Sequence, residues 1–243
     1  MNIYSNPQLY DAIHHNYKWD IKLVQSIAKD INGSVLELAS GTGRLAQEIT
    51  ELGFDYTGIE LSESFLNCAK KKCDDGATFI LGDMRNFDLG SHFDFILIGF
   101  NSFLHNLTRS DARSCLKCIK THLSNNGKFL LSIFIPNPTF LQRKNDKLYS
   151  ATDYFHYEDQ QCRIMEKNSY NFESQINEIT WLLEKDGIIE SEEYHFMMRM
   201  FYPHEMDLLL SDSGFIIKEK FGDYDCSPMN AESEMQIYLC ESF

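Results

Sequence analysis

Positive charge is what this chain is shortest of. It has 22 Lys and Arg against 36 Asp and Glu in 243 residues, a formal net charge of -14. Such a surface repels phosphate backbones. Its only basic run, Lys70-Lys71-Lys72, falls at the end of an expected helix, where cations complement the dipole. Nucleic acid is therefore not expected as a partner, and a small, neutral or cationic acceptor suits the charge better. Long apolar runs are also missing, and Met1-Asn2-Ile3-Tyr4-Ser5-Asn6 lacks the basic start and apolar centre of a secretion signal. No membrane partner is expected. The seven cysteines are scattered and odd in number, which suits reduced thiols and a cytoplasmic location rather than a disulfide framework. Cys115-Leu116-Lys117-Cys118 lies in a helical pattern with no second pair to complete a tetrahedral site, so no metal is expected. Internal repeats and low-complexity tracts are absent.

What is present reads as one folded α/β domain over 1–243, with 43% hydrophobic and 24% charged residues. An N-terminal helical segment fills 1–33, with its helix near 7–30. From 34 to 136, apolar runs at 34–39, 55–60, 77–82, 93–99 and 127–135 alternate with helix patterns near 43–52, 62–73 and 109–123, the signature of parallel βαβ units. Ser62 and Thr108 or Ser110 suit N-caps, and Asn126-Gly127 a turn before the fifth strand. Residues 137–202 form an antiparallel insert or substrate lid, with Lys185-Asp186-Gly187 as a hairpin turn and an open edge suited to a homodimer sheet. Residues 203–243 supply a helix and a final pair of strands.

The most telling stretch is Val35 to Ala46, an apolar strand that ends in an acid and runs into a glycine loop and a helix start. Gly41 and Gly43 allow a sharp turn and close approach of a ligand, toward which the helix aims its unsatisfied N–H groups. The loop alone also fits a nicotinamide fingerprint. Three acids separate the cases. Glu37, before the turn, offers a partner to a ligand ammonium. Glu60, about twenty residues beyond the glycines, suits both ribose hydroxyls. Asp83, in Gly82-Asp83-Met84, can accept an adenine amino group while the Met84 N–H meets a ring nitrogen.

On these residues the chain resembles the class I S-adenosylmethionine-dependent methyltransferases. Glu37-Leu38-Ala39-Ser40-Gly41-Thr42-Gly43 is similar to their first motif, Gly58-Ile59-Glu60-Leu61-Ser62 to their ribose strand, and Gly82-Asp83-Met84-Arg85 to their adenine strand end. Leu9-Tyr10-Asp11, Phe100-Asn101-Ser102 and Arg199-Met200-Phe201 resemble the small-molecule branch, which includes sugar N-methyltransferases. The resemblance implies a Rossmann-like, mostly parallel seven-stranded sheet with a reversed last strand, carrying the antiparallel insert. It implies S-adenosylmethionine as cofactor and S-adenosylhomocysteine as product. The implied cofactor site takes Tyr10, Glu37, Ala39, Ser40, Gly41, Gly43 and Arg44 from the first part of the chain. It takes Glu60, Leu61, Gly82, Asp83, Met84, Gly99 and Phe100 from the later strand ends. Ala39 departs from the pattern, since the family usually has its first loop glycine there.

Because the sulfonium is an activated leaving group, transfer needs mainly in-line positioning of an attacking lone pair. The acceptor belongs over the loops after strands four and five, near Asn101, Ser102 and His105. His105 is the candidate general base against a packed structural histidine. Arg199, a cation inside Phe196-Met197-Met198-Arg199-Met200-Phe201, asks for an anionic partner, either substrate or a Glu of the insert. The insert adds Tyr154, Phe155, His156, Tyr157, Tyr170, Phe172, Trp181, Tyr194 and Phe196 as aromatic surface. The expected activity is methylation of a small molecule, nitrogen before oxygen. The alternatives are a non-catalytic adenosyl-cofactor binder or scaffold of the same fold, and an NAD-dependent oxidoreductase.

Overall fold

Two helices precede the first strand where the sequence suggests one helical segment. They are α1 (Pro7–Ile13), capped by the Asn6 side chain, and α2 (Ile21–Ile31). The computed structural model describes residues 1–73 and 76–242. Asp20 precedes α2 but does not cap it, because both of its oxygens turn to the Arg44 guanidinium, at 2.7 and 2.6 Å.

β1 (Val35–Leu38) is buried along its whole length, as a parallel strand covered on both faces must be. There follow α3 (Arg44–Thr50), β2 (Tyr56–Glu60), α4 (Glu63–Lys72), β3 (Ala77–Leu81), β4 (Phe93–Ile98), α5 (Arg109–His122) and β5 (Leu123–Phe134). Ser62 caps α4 by accepting from the Phe65 N–H, and Thr108 caps α5 in a reciprocal box with Asp111. β5 starts earlier than the sequence suggests. Phe93 pairs with Leu123 and Phe95 with Lys128, so Asn126, at φ 68°, and Gly127 bulge inside the strand instead of preceding it. A Cβ on Gly127 would lie 2.9 Å from the Leu123 side chain.

The insert comprises α6 (Pro138–Leu141), β6 (Tyr149–Ser150), β7 (Phe155–Tyr157), β8 (Gln160–Asn171), β9 (Ile176–Lys185) and β10 (Ile188–Arg199). Asp186 and Gly187 take φ 47° and 83°, the two left-handed residues of a tight hairpin turn. The chain closes with α7 (Pro203–Asp212), β11 (Phe215–Phe221) and β12 (Met235–Ser242).

The main sheet runs β11-β12-β5-β4-β1-β2-β3. β12 is antiparallel to both β5 and β11, while the other pairs in the sheet are parallel. This is the class I methyltransferase sheet with its reversed strand. The second sheet runs β10-β9-β8-β6, with β7 also on β8. One face of the main sheet packs with α5 and α7, the other with α2, α3 and α4. A third apolar cluster joins Ile3, Leu9 and Ile13 to Phe155, Ile164 and Leu183, fixing the first residues of the chain to the insert. No described helix is long and apolar enough to cross a membrane. The outcome that matters is that the carboxyl ends of β1 to β4 open on one edge, beneath the insert.

The Asp20–Arg44 pair ties α2 to the helix behind the glycine loop, and the guanidinium also lies over the Tyr17 and Phe100 rings at 5.1 and 5.7 Å. Asp20→Ala leaves that cation largely desolvated without its carboxylate and should cost roughly 2–3 kcal/mol in urea unfolding. Arg44→Met in the Asp20→Ala background should recover most of the loss, and two additive losses would refute the coupling.

Candidate active site

A cavity of about 790 Å³ lies between the strand ends and the insert. Its floor is made by Ala39 and Gly41 after β1, Glu60 and Leu61 after β2, Gly82 to Arg85 after β3, and Phe100 to Ser102 after β4. The insert covers it with Glu166, Ile179, Trp181 and Phe196. A third wall, Asn2 to Ser5 with Tyr10 and His14, comes from the start of the chain.

Glu60 organises the floor. Its Oε2 accepts the Gly41 N–H at 2.8 Å and its Oε1 the Ser62 N–H at 2.7 Å, so one carboxylate joins the glycine loop to the start of α4. Burial raises its pKa against the lowering effect of these backbone donors. Gly41 sits at φ 61°, and a Cβ there would meet nothing within 4 Å, which leaves the loop open to the cavity. Ala39 also takes a left-handed φ, 55°, the conformation that a glycine adopts without steric cost. The departure from the family pattern is thus accommodated by local strain with the turn kept.

Strain recurs after β4, where Phe100 and Asn101 take φ 53° and 65°. Asn101 holds that turn, its Oδ1 accepting the Phe134 N–H at 2.7 Å. The Phe100 ring packs edge-on against Tyr17 and His14. Asp83 is tied down by Arg85, which donates to both of its oxygens and holds the carboxyl below its usual range.

His105 has both ring nitrogens engaged. Nδ1 lies 3.1 Å from the Met197 carbonyl, which can only accept, so Nδ1 carries the proton. Nε2 lies 2.8 Å from the Tyr4 hydroxyl and in the neutral ring accepts from it. Burial lowers the His105 pKa and keeps the ring neutral. Burial likewise brings His14 down to about 4.

The cavity therefore gathers Tyr10, Ala39, Gly41, Glu60, Leu61, Gly82, Asp83, Met84, Phe100, Asn101 and His105. It does not border Glu37, Ser40, Gly43, Arg44, Gly99 or Arg199. Glu37 lies beneath the loop and accepts the Tyr56 O–H at 2.5 Å. Ser40 packs where a Cβ on Gly58 would stand, 2.7 Å from its Oγ. Gly43 is the N-terminal boundary of α3, where a Cβ would come 3.1 Å from Ala69. Gly99 follows β4 one residue before the floor. Arg199 pairs with Glu205 of α7 at 3.0 Å and with Gln175 at 2.7 Å, a structural bridge to a helix rather than to a Glu of the insert. Of the insert aromatics, Trp181 and Phe196 reach the cavity, while Phe155 and Tyr194 are buried in the third cluster and Tyr154 and Phe172 are exposed.

Sequence reasoning missed Tyr4, His14 and Glu166. Nothing local marks Tyr4 or His14. Glu166 carries a legible signal: it continues the inward alternation of Cys162 and Ile164, so it is a carboxylate on an apolar face.

Comparison with known proteins fits this geometry. The family described as "Methyltransferase domain" matches residues 35–127. "Putative methyltransferase YqeM" of Bacillus subtilis (strain 168) is 24% identical over 96% of this chain and 94% of its own. The dTDP-3-amino-3,4,6-trideoxy-alpha-D-glucopyranose N,N-dimethyltransferase of Streptomyces venezuelae is 35% identical over 39% of each chain. The solved CcbJ methyltransferase of Streptomyces caelestis superposes with a TM-score of 0.81 at 21% identity, over 99% of this chain and 98% of that one. Residues 35–127 carry a methyltransferase domain, and the chain has the fold of the class I S-adenosylmethionine-dependent methyltransferases. The structural likeness carries the fold, and the family match with the curated relatives carries the activity, which sets the nicotinamide alternative aside. The methyltransferase cavity suits its cofactor: the loop at Gly41 is open, carboxylates face the floor, and aromatic rings surround them, a setting that favours a cationic ligand.

Under the methyltransferase loop, burial pushes Glu37 up to about 8. A folded-state pKa raised above the unfolded value gives stability that is full below about pH 4.3 and lost as pH climbs toward 8. Glu37→Gln keeps an acceptor for Tyr56 and removes the titration. In urea unfolding, its stability relative to the parent should rise between pH 5 and 8, by at most about 1.4 kcal/mol per pH unit. A pH-independent difference would show that Glu37 is ionised throughout.

Proposed function

We propose that this methyltransferase acts on a small-molecule acceptor, at nitrogen in preference to oxygen. The observation that carries the reading is the acidic and aromatic cavity, of a size for a cofactor and a modest acceptor together and without a cationic track for a polymer. The relatives named as dTDP-amino-sugar N,N-dimethyltransferases support it. Bound S-adenosylmethionine supplies a methyl group on a sulfonium, an electrophile that needs no further activation. In this reading Glu60 and Leu61 would hold the ribose, and Asp83 and Met84 the adenine. Ala39, Gly41 and Tyr10 would enclose the methionine end. Glu37, Ser40, Gly43 and Arg44 act from behind by fixing the loop, and Gly99, Phe100 and Asn101 shape the floor under the acceptor.

The protein's own chemistry is then proton handling. An amine is mostly protonated at neutral pH and must lose a proton before its lone pair can attack. His105 is neutral, and its Nε2 takes the proton of the Tyr4 hydroxyl as that oxygen receives one from the acceptor. Tyr4 therefore stands between the base and the acceptor. Arg199 contributes through its hold on Glu205 and Gln175.

Incubation with S-adenosylmethionine and separate pools of small amines and alcohols should release S-adenosylhomocysteine and add methyl mass to members of the amine pool. His105→Gln should lower kcat about tenfold or more and alter the acidic limb of the pH profile, with cofactor binding kept. Methylation confined to alcohols would overturn the preference for nitrogen. Cofactor binding without turnover of either pool would favour the non-catalytic alternative.

A further inference from the structure

The lid of the cavity contains a carboxylate that the cofactor reading does not use. Glu166 is 6% exposed, and its neighbours on the same face of β8 are the apolar, buried Ile164 and Cys162. Its Oε2 accepts the Trp181 indole N–H at 2.8 Å, across the β8–β9 register. Among the described residues its Oε1 has only a loose ionic partner, Arg143 at 3.5 Å, whose guanidinium lies over the Phe140 and Tyr149 rings at 4.9 and 4.8 Å. A buried carboxylate is costly unless its charge is well compensated, and one loose pair is weak compensation.

The cavity as a whole has the same imbalance. Among the described residues that line it, the carboxylates are Glu60, Asp83 and Glu166, and the only guanidinium is that of Arg85, already bound to Asp83. No lysine lines it. A nucleoside diphosphate asks for forked guanidinium donors or several cations; besides Arg85 the described lining offers only the imidazoles of His14, His105 and His195, and the nearby Arg143 is turned to Glu166 and two aromatic rings.

We propose that Glu166 anchors the positive charge of the acceptor, and that the acceptor is a phosphate-free amine, unlike the dTDP-linked substrates for which three relatives are named. This inference rests on the cavity holding a small-molecule acceptor. Trp181 orients the carboxylate from one side, and Phe196 and Phe140 give the acceptor an apolar seat beside it. Arg143 is displaced from its loose pair as the ammonium arrives.

The test uses Trp181 as reporter. The chain has two tryptophans, and Trp19, 68% exposed, lies away from the cavity, so Trp19→Phe leaves one indole, hydrogen-bonded to the proposed anchor. This protein, saturated with S-adenosylhomocysteine, is titrated with tyramine, with free 3-amino-3,6-dideoxyglucose and with the dTDP-linked form of that sugar. The free amines should change Trp181 fluorescence saturably, and the dTDP-linked form should bind at least about tenfold more weakly. Glu166→Gln, which keeps an acceptor for the indole, should weaken the free amines about tenfold or more with S-adenosylhomocysteine binding unchanged. Arg143→Met should tighten them. Equal or tighter binding of the dTDP-linked sugar overturns the proposal, as does an unaltered Glu166→Gln or silence of Trp181 toward both free amines. Failure to bind S-adenosylhomocysteine would instead remove the cofactor reading beneath it. Binding of that product together with methylation of a phosphate-bearing acceptor would remove this inference alone.

Discussion

The site depends first on one carboxylate shared between two backbone donors. Glu60 stands at the end of β2, with one oxygen on the Gly41 N–H and the other on the Ser62 N–H. The glycine loop after β1 and the start of α4 are thereby held at one place, and the floor of the cavity has its shape before any ligand arrives. Preorganisation of this kind matters in a reaction whose electrophile is already activated, because the protein's contribution is mainly placement. Removing this carboxylate would free two strand ends at once.

Strain lies at the same edge. Ala39, Phe100 and Asn101 adopt left-handed backbone conformations at the ends of β1 and β4. Asn101 is latched to Phe134, and Phe100 is packed by Tyr17 and His14. Above this floor, the start of the chain and the insert close the cavity together. The Tyr4 carbonyl accepts from the Ser62 hydroxyl at 2.6 Å, its hydroxyl meets His105, and His105 holds the Met197 carbonyl of β10. The start of the chain and the insert are thus connected through His105.

Much of this was legible from residues close in sequence. Short apolar runs marked the parallel strands, Asp186-Gly187 marked the hairpin, and Ser62 and Thr108 marked helix starts, because each signal is written within a few residues. The positions of Glu60 and Asp83 at successive strand ends were legible because parallel strands bring their ends to one edge. Partnerships across the chain were not. Nothing local tells that Asp20 takes Arg44, or that Tyr56 takes Glu37. Tyr4 and His105 are 101 positions apart. The turn at Asn126-Gly127 was legible as a turn, but its place inside β5 depends on pairing with β4, which a single strand does not carry.

Calorimetric titration with S-adenosylhomocysteine of the parent and of Glu60→Gln, both confirmed folded by circular dichroism, tests the central claim most directly. The amide can accept from only one of the two backbone donors. The account predicts measurable binding to the parent and a loss of about tenfold or more in the variant. Equal affinities would contradict it.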